Sequence, residues 1–347
     1  MANRYWVSSA DVWNADSGNK WSTTSGGAGG SAVPVASDSV FFDGNSGTGV
    51  ITIGTATAVC RSFDTTGYTG GLDILAGWNV GDGTAGNFTI GSGMSNITGN
   101  NNINFISTVG TNNLTFNGKT FTLNRFDFNG VGGSWQFQDA LTIIGTISYI
   151  ELDNGTLDTN GKSVTVANVF GYGGSLTLGA TTFTCNSTGS AWDLGAGGTV
   201  TAGTSTISLT DTSATQKQFG GGGQTYNNVS ITGGGAGRVL FQQSNTFAAL
   251  PQITGGTKNV RFTIGTTQTF TGGANFGNGS NLITIDSTAV GTAGTLSRVS
   301  GTMQVTSISL RDSTATGGAT WLAPSNNGNV DVSGNSGWDF TPTGGGG

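Results

Sequence analysis

The chain predicts an all-β fold, a right-handed parallel β-helix (β-solenoid) with a cap at each end. Three observations carry this. Glycine takes 63 of 347 positions. Short β-type runs such as Val50-Ile51-Thr52-Ile53 recur at intervals that drift from about twenty to about thirty residues, as in solenoids whose turns vary while their strands do not. Glu151 is the only glutamate and lysine occurs five times, so the usual vocabulary of exposed helices is missing.

Charged residues make up 9% of the chain, against roughly 25% in ordinary globular proteins. Glycine at this abundance often marks disorder. Here 35% of residues are apolar, with 19 Phe and 8 Trp available for burial, and they fall in alternating clusters. Order is the expectation.

Residues 1–49 read as an N-terminal cap or attachment segment. Tyr5, Trp6, Trp13, Trp21 and Phe41 lie there with Pro34 and the glycine-rich run from Gly26 to Gly30. Large side chains can cover a first open rung, which would otherwise be an aggregation-prone edge. The same aromatics could instead hold a sugar or a partner.

Residues 50–289 read as the solenoid body. Leu72-Asp73-Ile74-Leu75, Asn87-Phe88-Thr89-Ile90, Ile103-Asn104-Phe105-Ile106 and Phe121-Thr122-Leu123 each alternate apolar and polar residues, the period of a half-buried strand. Val164-Thr165-Val166, Leu176-Thr177-Leu178, Ile207-Ser208-Leu209 and Val260-Arg261-Phe262-Thr263-Ile264 continue the pattern. Asn117-Gly118, Asn154-Gly155 and Asn160-Gly161 supply turns that need positive φ. A β-sandwich array could use the same turns.

Residues 290–347 read as the last rungs, a C-terminal lid in which Trp338 and Phe340 cover the final layer, and a glycine tail from Gly344 to Gly347. Met1 to Trp6 lacks the apolar core of a signal peptide, and no run approaches a membrane span. The expectation is a chain made in a cytoplasm, without membrane insertion.

Three stretches carry a resemblance. The first is Arg4-Tyr5-Trp6-Val7 with Trp13, the run from Trp21 to Gly30, and Pro34 to Asn45. The second runs from Lys217 to Val229, with Phe219-Gly220-Gly221-Gly222 ahead of Thr225-Tyr226-Asn227-Asn228. The third runs from Asp312-Ser313-Thr314-Ala315 to Asn335-Ser336-Gly337-Trp338-Asp339-Phe340. Together they resemble β-helical structural proteins of tailed bacteriophages, described as decorations, fibres or spikes. The resemblance touches both ends and the middle. It implies a virion location and carries over no functional residue.

Histidine is absent, which excludes Ser-His-Asp and Cys-His catalysis and His-containing zinc sites. Gly118-Lys119-Thr120 and Gly161-Lys162-Ser163 lack the upstream glycine of a phosphate-binding loop and read as turns. Gly81-Asp82-Gly83 also reads as a turn, since one aspartate cannot supply the oxygens calcium needs. Cys60 and Cys185 show no disulfide or metal spacing and read as buried thiols. The net charge of −6 argues against nucleic acid, whose partners need a basic footprint.

Glycan cleavage needs only two carboxylates about 5–10 Å apart. Asp139, Glu151, Asp153 and Asp158 form the densest acidic cluster, and Glu151 and Asp153 would share a strand face about 7 Å apart. Against catalysis, Asp153 begins a turn and Tyr149 is the only aromatic or cationic companion nearby in sequence. Trp78, Trp135, Trp192, Tyr68 and Tyr172 could act as sugar platforms, although core packing explains them better. Asn100-Asn101-Asn102 and Asn112-Asn113 read as stacked turn ladders.

The sequence therefore points to a structural surface protein of a tailed phage (head decoration, head fibre, or tail fibre or spike) with no catalytic residue, metal or cofactor. Its expected partners are other virion proteins, further copies of itself as a homo-oligomer such as a trimer, and host surface glycans. A tailspike-type depolymerase and a bacterial surface adhesin are the alternatives.

Overall fold

The computed structural model describes residues 1–13, 18–54, 58–84, 86–145, 147–195, 197–233, 237–248, 252–253, 258–272 and 281–343. The tail Gly344 to Gly347 lies outside them. The chain is all-β, a right-handed parallel β-helix of about 12 turns. Among the described residues, the 3₁₀ turn Ser325–Asn327 is the only helix. Two compact units divide the chain, Met1–Thr181 and Thr182–Gly347.

In the first unit each turn lays strands on three faces. One face stacks Val50–Ile53 on Gly71–Ile74, then Ile97–Gly99, Thr120–Thr122, Leu141–Ile144 and Val164–Val166. The second stacks Val59–Cys60, Trp78–Val80 and Asn102–Phe105. The third stacks Ser39–Phe41, Ser62–Asp64, Phe88–Thr89 and Thr111–Thr115. Arg125–Phe137 and Tyr149–Asp158 turn a corner, so each serves the second face with its first half and the third face with its second. Parallel pairing already begins within residues 1–49, since Asn3–Trp6 pairs with Ser39–Phe41 and Asp11–Val12 with Val50–Ile53.

Alternation decides which side chains enter the lumen. In Asn102–Phe105, Ile103 and Phe105 are buried while Asn102 and Asn104 face outward. In-register stacking then sets like on like: Ile103 pairs with Phe126, and Phe126 with Ile150. Inward aromatics interlock, with Phe105 against Phe128 at 4.9 Å and Phe63 against Trp78 at 4.6 Å. Each such side chain contributes about 2–3 kcal/mol by leaving water.

Turn length is not constant. Trp78 meets Ile103, 25 positions on, whereas Ile150 meets Val169, only 19 on. The corner in Arg125–Phe137 depends on Gly130, where an added Cβ would lie 1.8 Å from the Ser107 carbonyl oxygen.

The second unit repeats the plan. Thr182–Cys185, Thr206–Leu209 and Asn228–Ile231 stack on one face. Lys217–Gly220, Arg238–Gln242, Lys258–Phe262, Ile283–Ser287 and Ile308–Arg311 stack on another. Thr225–Tyr226, Thr246–Phe247 and Thr267–Phe270 form the third. Inside, Phe219, Phe241 and Phe262 make one aromatic column, and Tyr226, Phe247 and Phe270 another.

The last segment adds one more parallel turn. Val330–Ser333 pairs with Ile308–Arg311, and bridges join Thr314 to Ser336 and Leu322 to Asp339. Trp338 packs edge-on against Trp321 at 5.0 Å and donates its indole N–H to Ser313 Oγ at 3.2 Å. Trp338 and Phe340 remain partly exposed.

Candidate functional site: an acidic cluster on the outer face

The second face of the first unit carries a ladder of outward residues. Asn79, Asn104, Asp127 and Glu151 occupy one register position on successive turns. Asn104 Nδ2 donates to Asn79 Oδ1 at 2.8 Å. One position class away, Arg125 follows Asn102 and precedes Tyr149.

Asp153 joins through a bulge. Leu152 pairs with Phe128 and Asn154 with Asn129, so Asp153 is the extra residue without a ladder partner. One carboxylate oxygen from each of Asp127, Glu151 and Asp153 lies within 4.8 Å of the others.

Arg125 braces the group. Its Nη1 contacts Glu151 Oε2, and its Nη2 lies 3.5 Å from Asp127 Oδ2. The Asn102 amide oxygen, in the orientation that satisfies both partners, accepts from Arg125 Nη2 and Nε at 3.0 Å. The Arg125 guanidinium carbon also lies 5.7 Å from the Tyr149 ring centroid, and Tyr149 packs edge-on against Phe170.

Burial pushes the Asp127 carboxyl up to about 6; Arg125 opposes this, and Asp153 and Glu151 add to it. Glu151 is raised too, by burial offset by Arg125 and reinforced by Asp153. Arg125 loses some preference for its charge through burial and more than regains it from Glu151 and Asp127. Asp127 is 7% exposed, and its Oδ1 receives no hydrogen bond.

The four acids singled out in the sequence separate. Glu151 and Asp153 come together. Asp139 instead accepts the backbone N–H groups of Phe116, at 2.7 Å, and Asn117. Asp158 accepts Gln136 Nε2 at 3.0 Å and the Asn160 N–H at 2.7 Å. Both brace turns. Asp127 and Arg125 escaped the sequence reading because they lie a full turn upstream of Glu151. The available signal was their polar placement in Arg125-Phe126-Asp127-Phe128, where both phenylalanines point inward.

Of the proposed aromatic platforms, Trp78, Trp135, Trp192 and Tyr68 are buried in the lumen and present no face to solvent. Tyr172 is half-exposed. Trp6, Trp13 and Trp21 are wholly buried. Tyr5 and Phe41, by contrast, stack at 4.9 Å on the outer surface. Phe41 borders a groove of 330 Å³ with Arg61, Asp64, Asn87 and Thr89. Asn112 is buried and bridges turns, accepting the Gly86 N–H at 2.6 Å and donating to the Ser134 carbonyl at 2.8 Å.

Asp82 folds onto Thr84, accepting its N–H at 2.6 Å and its hydroxyl at 2.7 Å. Cys60 and Cys185 are free and buried. Among the described residues no helix is long and apolar enough to cross a membrane. Comparison with protein-family models, curated proteins and solved structures finds no match.

Proposed function

We propose that the chain is a structural surface protein of a tailed phage particle, a stiff body displayed as a head decoration, head fibre, or tail fibre or spike. The observation that supports this most is the division of labour in each turn. Aromatic and aliphatic side chains fill the lumen, while short amides, hydroxyls and aspartates on the outside bond from turn to turn, as Asn104 does to Asn79 and Asn154 to Asn129 at 2.7 Å. Such a surface is rigid, hydrated and weakly charged. The phage assignment rests on the resemblance of the N-terminal, Phe219-to-Asn228 and C-terminal stretches.

Adhesion to host glycans would use the groove beside Tyr5 and Phe41, where an aromatic face adjoins Arg61, Asp64 and Asn87. Many copies on one particle would raise avidity without a tight single site. A homo-oligomer, such as a trimer, would act in the same way. Mass spectrometry of purified virions tests the location: many copies per particle are expected. Recovery of the chain only from the host-cell fraction refutes it.

A second reading, glycan cleavage, draws support from the convergence of Asp127, Glu151 and Asp153. Their separation is close to that of a retaining carboxylate pair, about 5 Å. Release of reducing ends from host capsule or lipopolysaccharide, lost in both Asp127→Asn and Glu151→Gln, would establish it over the structural reading.

A further inference from the structure

We propose that Asp127, Glu151 and Asp153 bind a calcium ion on the outer face of the first unit. Geometry comes first. Oxygens bound to one ion at about 2.3–2.6 Å cannot lie more than about 5 Å apart, and these three carboxylates present oxygens within 4.8 Å of one another.

Three carboxylates meet one guanidinium, that of Arg125, leaving a local charge of −2. Like charges at this spacing repel strongly where water is partly excluded. A divalent cation balances them.

Asp127 is more than nine-tenths buried, and its Oδ1 has no donor. Its register partner on the preceding turn, Asn104, also has a buried Oδ1 without a donor. An acceptor buried without a donor carries a desolvation cost of about 1–3 kcal/mol, which a cation beside it would offset.

Donor chemistry selects the ion. The ligands are all oxygen, which suits hard cations and disfavours zinc or copper. Strand and bulge geometry supplies them irregularly. Calcium accepts six to eight oxygens in flexible arrangements, whereas magnesium demands a near-ideal octahedron. This inference does not depend on where the chain acts.

The test is terbium luminescence on the full chain stripped with a chelator, with Tyr149 as the nearby sensitiser, followed by displacement with calcium. The expected result is saturable emission at one ion per chain, removed by calcium, with affinity at least about tenfold weaker in Asp127→Asn and Asp153→Asn. Asp153→Asn guards against a folding defect in the more buried variant, and circular dichroism checks both. Absence of terbium and calcium binding would overturn the proposal. So would binding that both variants leave unchanged. Binding seen only in Arg125→Met would overturn it as well, since the guanidinium alone would then balance the acids.

Discussion

Arg261 and Asp286 are ladder partners on adjacent turns of the second unit, with Arg261 Nε donating to Asp286 Oδ1 at 2.7 Å. Arg311, one turn further on, donates to Asp286 Oδ2 at 2.9 Å. Asp286 is 2% exposed and so depends on both. Burial alone would raise its carboxyl, but hydrogen bonding and charge from Arg261, then Asn259 and Arg311, hold it below the usual range.

The sign of the pH effect follows. A carboxyl whose folded value is depressed adds stability that is present above the unfolded value, about 4, and is lost as pH falls through the folded value. Denaturant midpoints of the wild type should therefore drop below about pH 4. Asp286→Ala should cost about 1–3 kcal/mol at pH 7, less than a fully buried pair because the arginines are partly exposed. The variant should also lose part of the acid dependence; an unchanged pH profile would refute this account.

Tyr226 ties the lumen of the second unit together. Its hydroxyl accepts the Trp192 indole N–H at 3.1 Å and donates to the Gly221 carbonyl at 2.8 Å, all within the core. Tyr226→Phe preserves the ring and strands both partners. A loss of about 1–3 kcal/mol in urea unfolding is expected. A neutral result would refute this role for the hydroxyl.

Gly130 lets the strand Arg125–Phe137 turn its corner against the Ser107 carbonyl. A Cβ 1.8 Å from that oxygen forces backbone movement, so Gly130→Ala should destabilise by at least about 2 kcal/mol. Gly118→Ala makes a useful contrast: its Cβ meets nothing within 4 Å, and only its φ of +70° is strained. Thermal melts should rank Gly130→Ala below Gly118→Ala.

The two thiols should be inert in the folded chain. Cys60 and Cys185 are wholly buried, and desolvation pushes both well above the ordinary thiol range. A thiol-reactive dye should label neither at pH 8 until denaturant is added, and then label both. Fast labelling of the native protein would contradict the packing described.

Much of the fold is legible in the chain because a half-buried strand writes its two faces into alternate residues. Ile103 and Phe105 read as inward and Asn104 as outward without any structure. The tryptophans read as core for the same reason: Trp78 and Trp192 sit at inward positions of short strands. Phe41 was harder, since it stands in an aromatic-rich segment; its outward place follows only from the buried Val40 and Phe42 on either side.

The acidic cluster was half legible. Glu151 and Asp153 are neighbours in sequence, but Asp127 and Arg125 reach them only through ladder register. Register depends on turn length, which varies from 18 positions between Thr302 and Thr320 to 28 between Thr267 and Thr295 with no local signal. The bulge at Asp153 is equally silent, because an extra residue in a strand looks like any other. Alternation, glycine turns and the missing histidine thus determined the β-helix and excluded whole classes of chemistry, since these depend on residue type and near neighbours alone. Which polar residues meet on the outer face was decided by the tertiary structure, because stacking converts distance along the chain into adjacency only once every turn has its length.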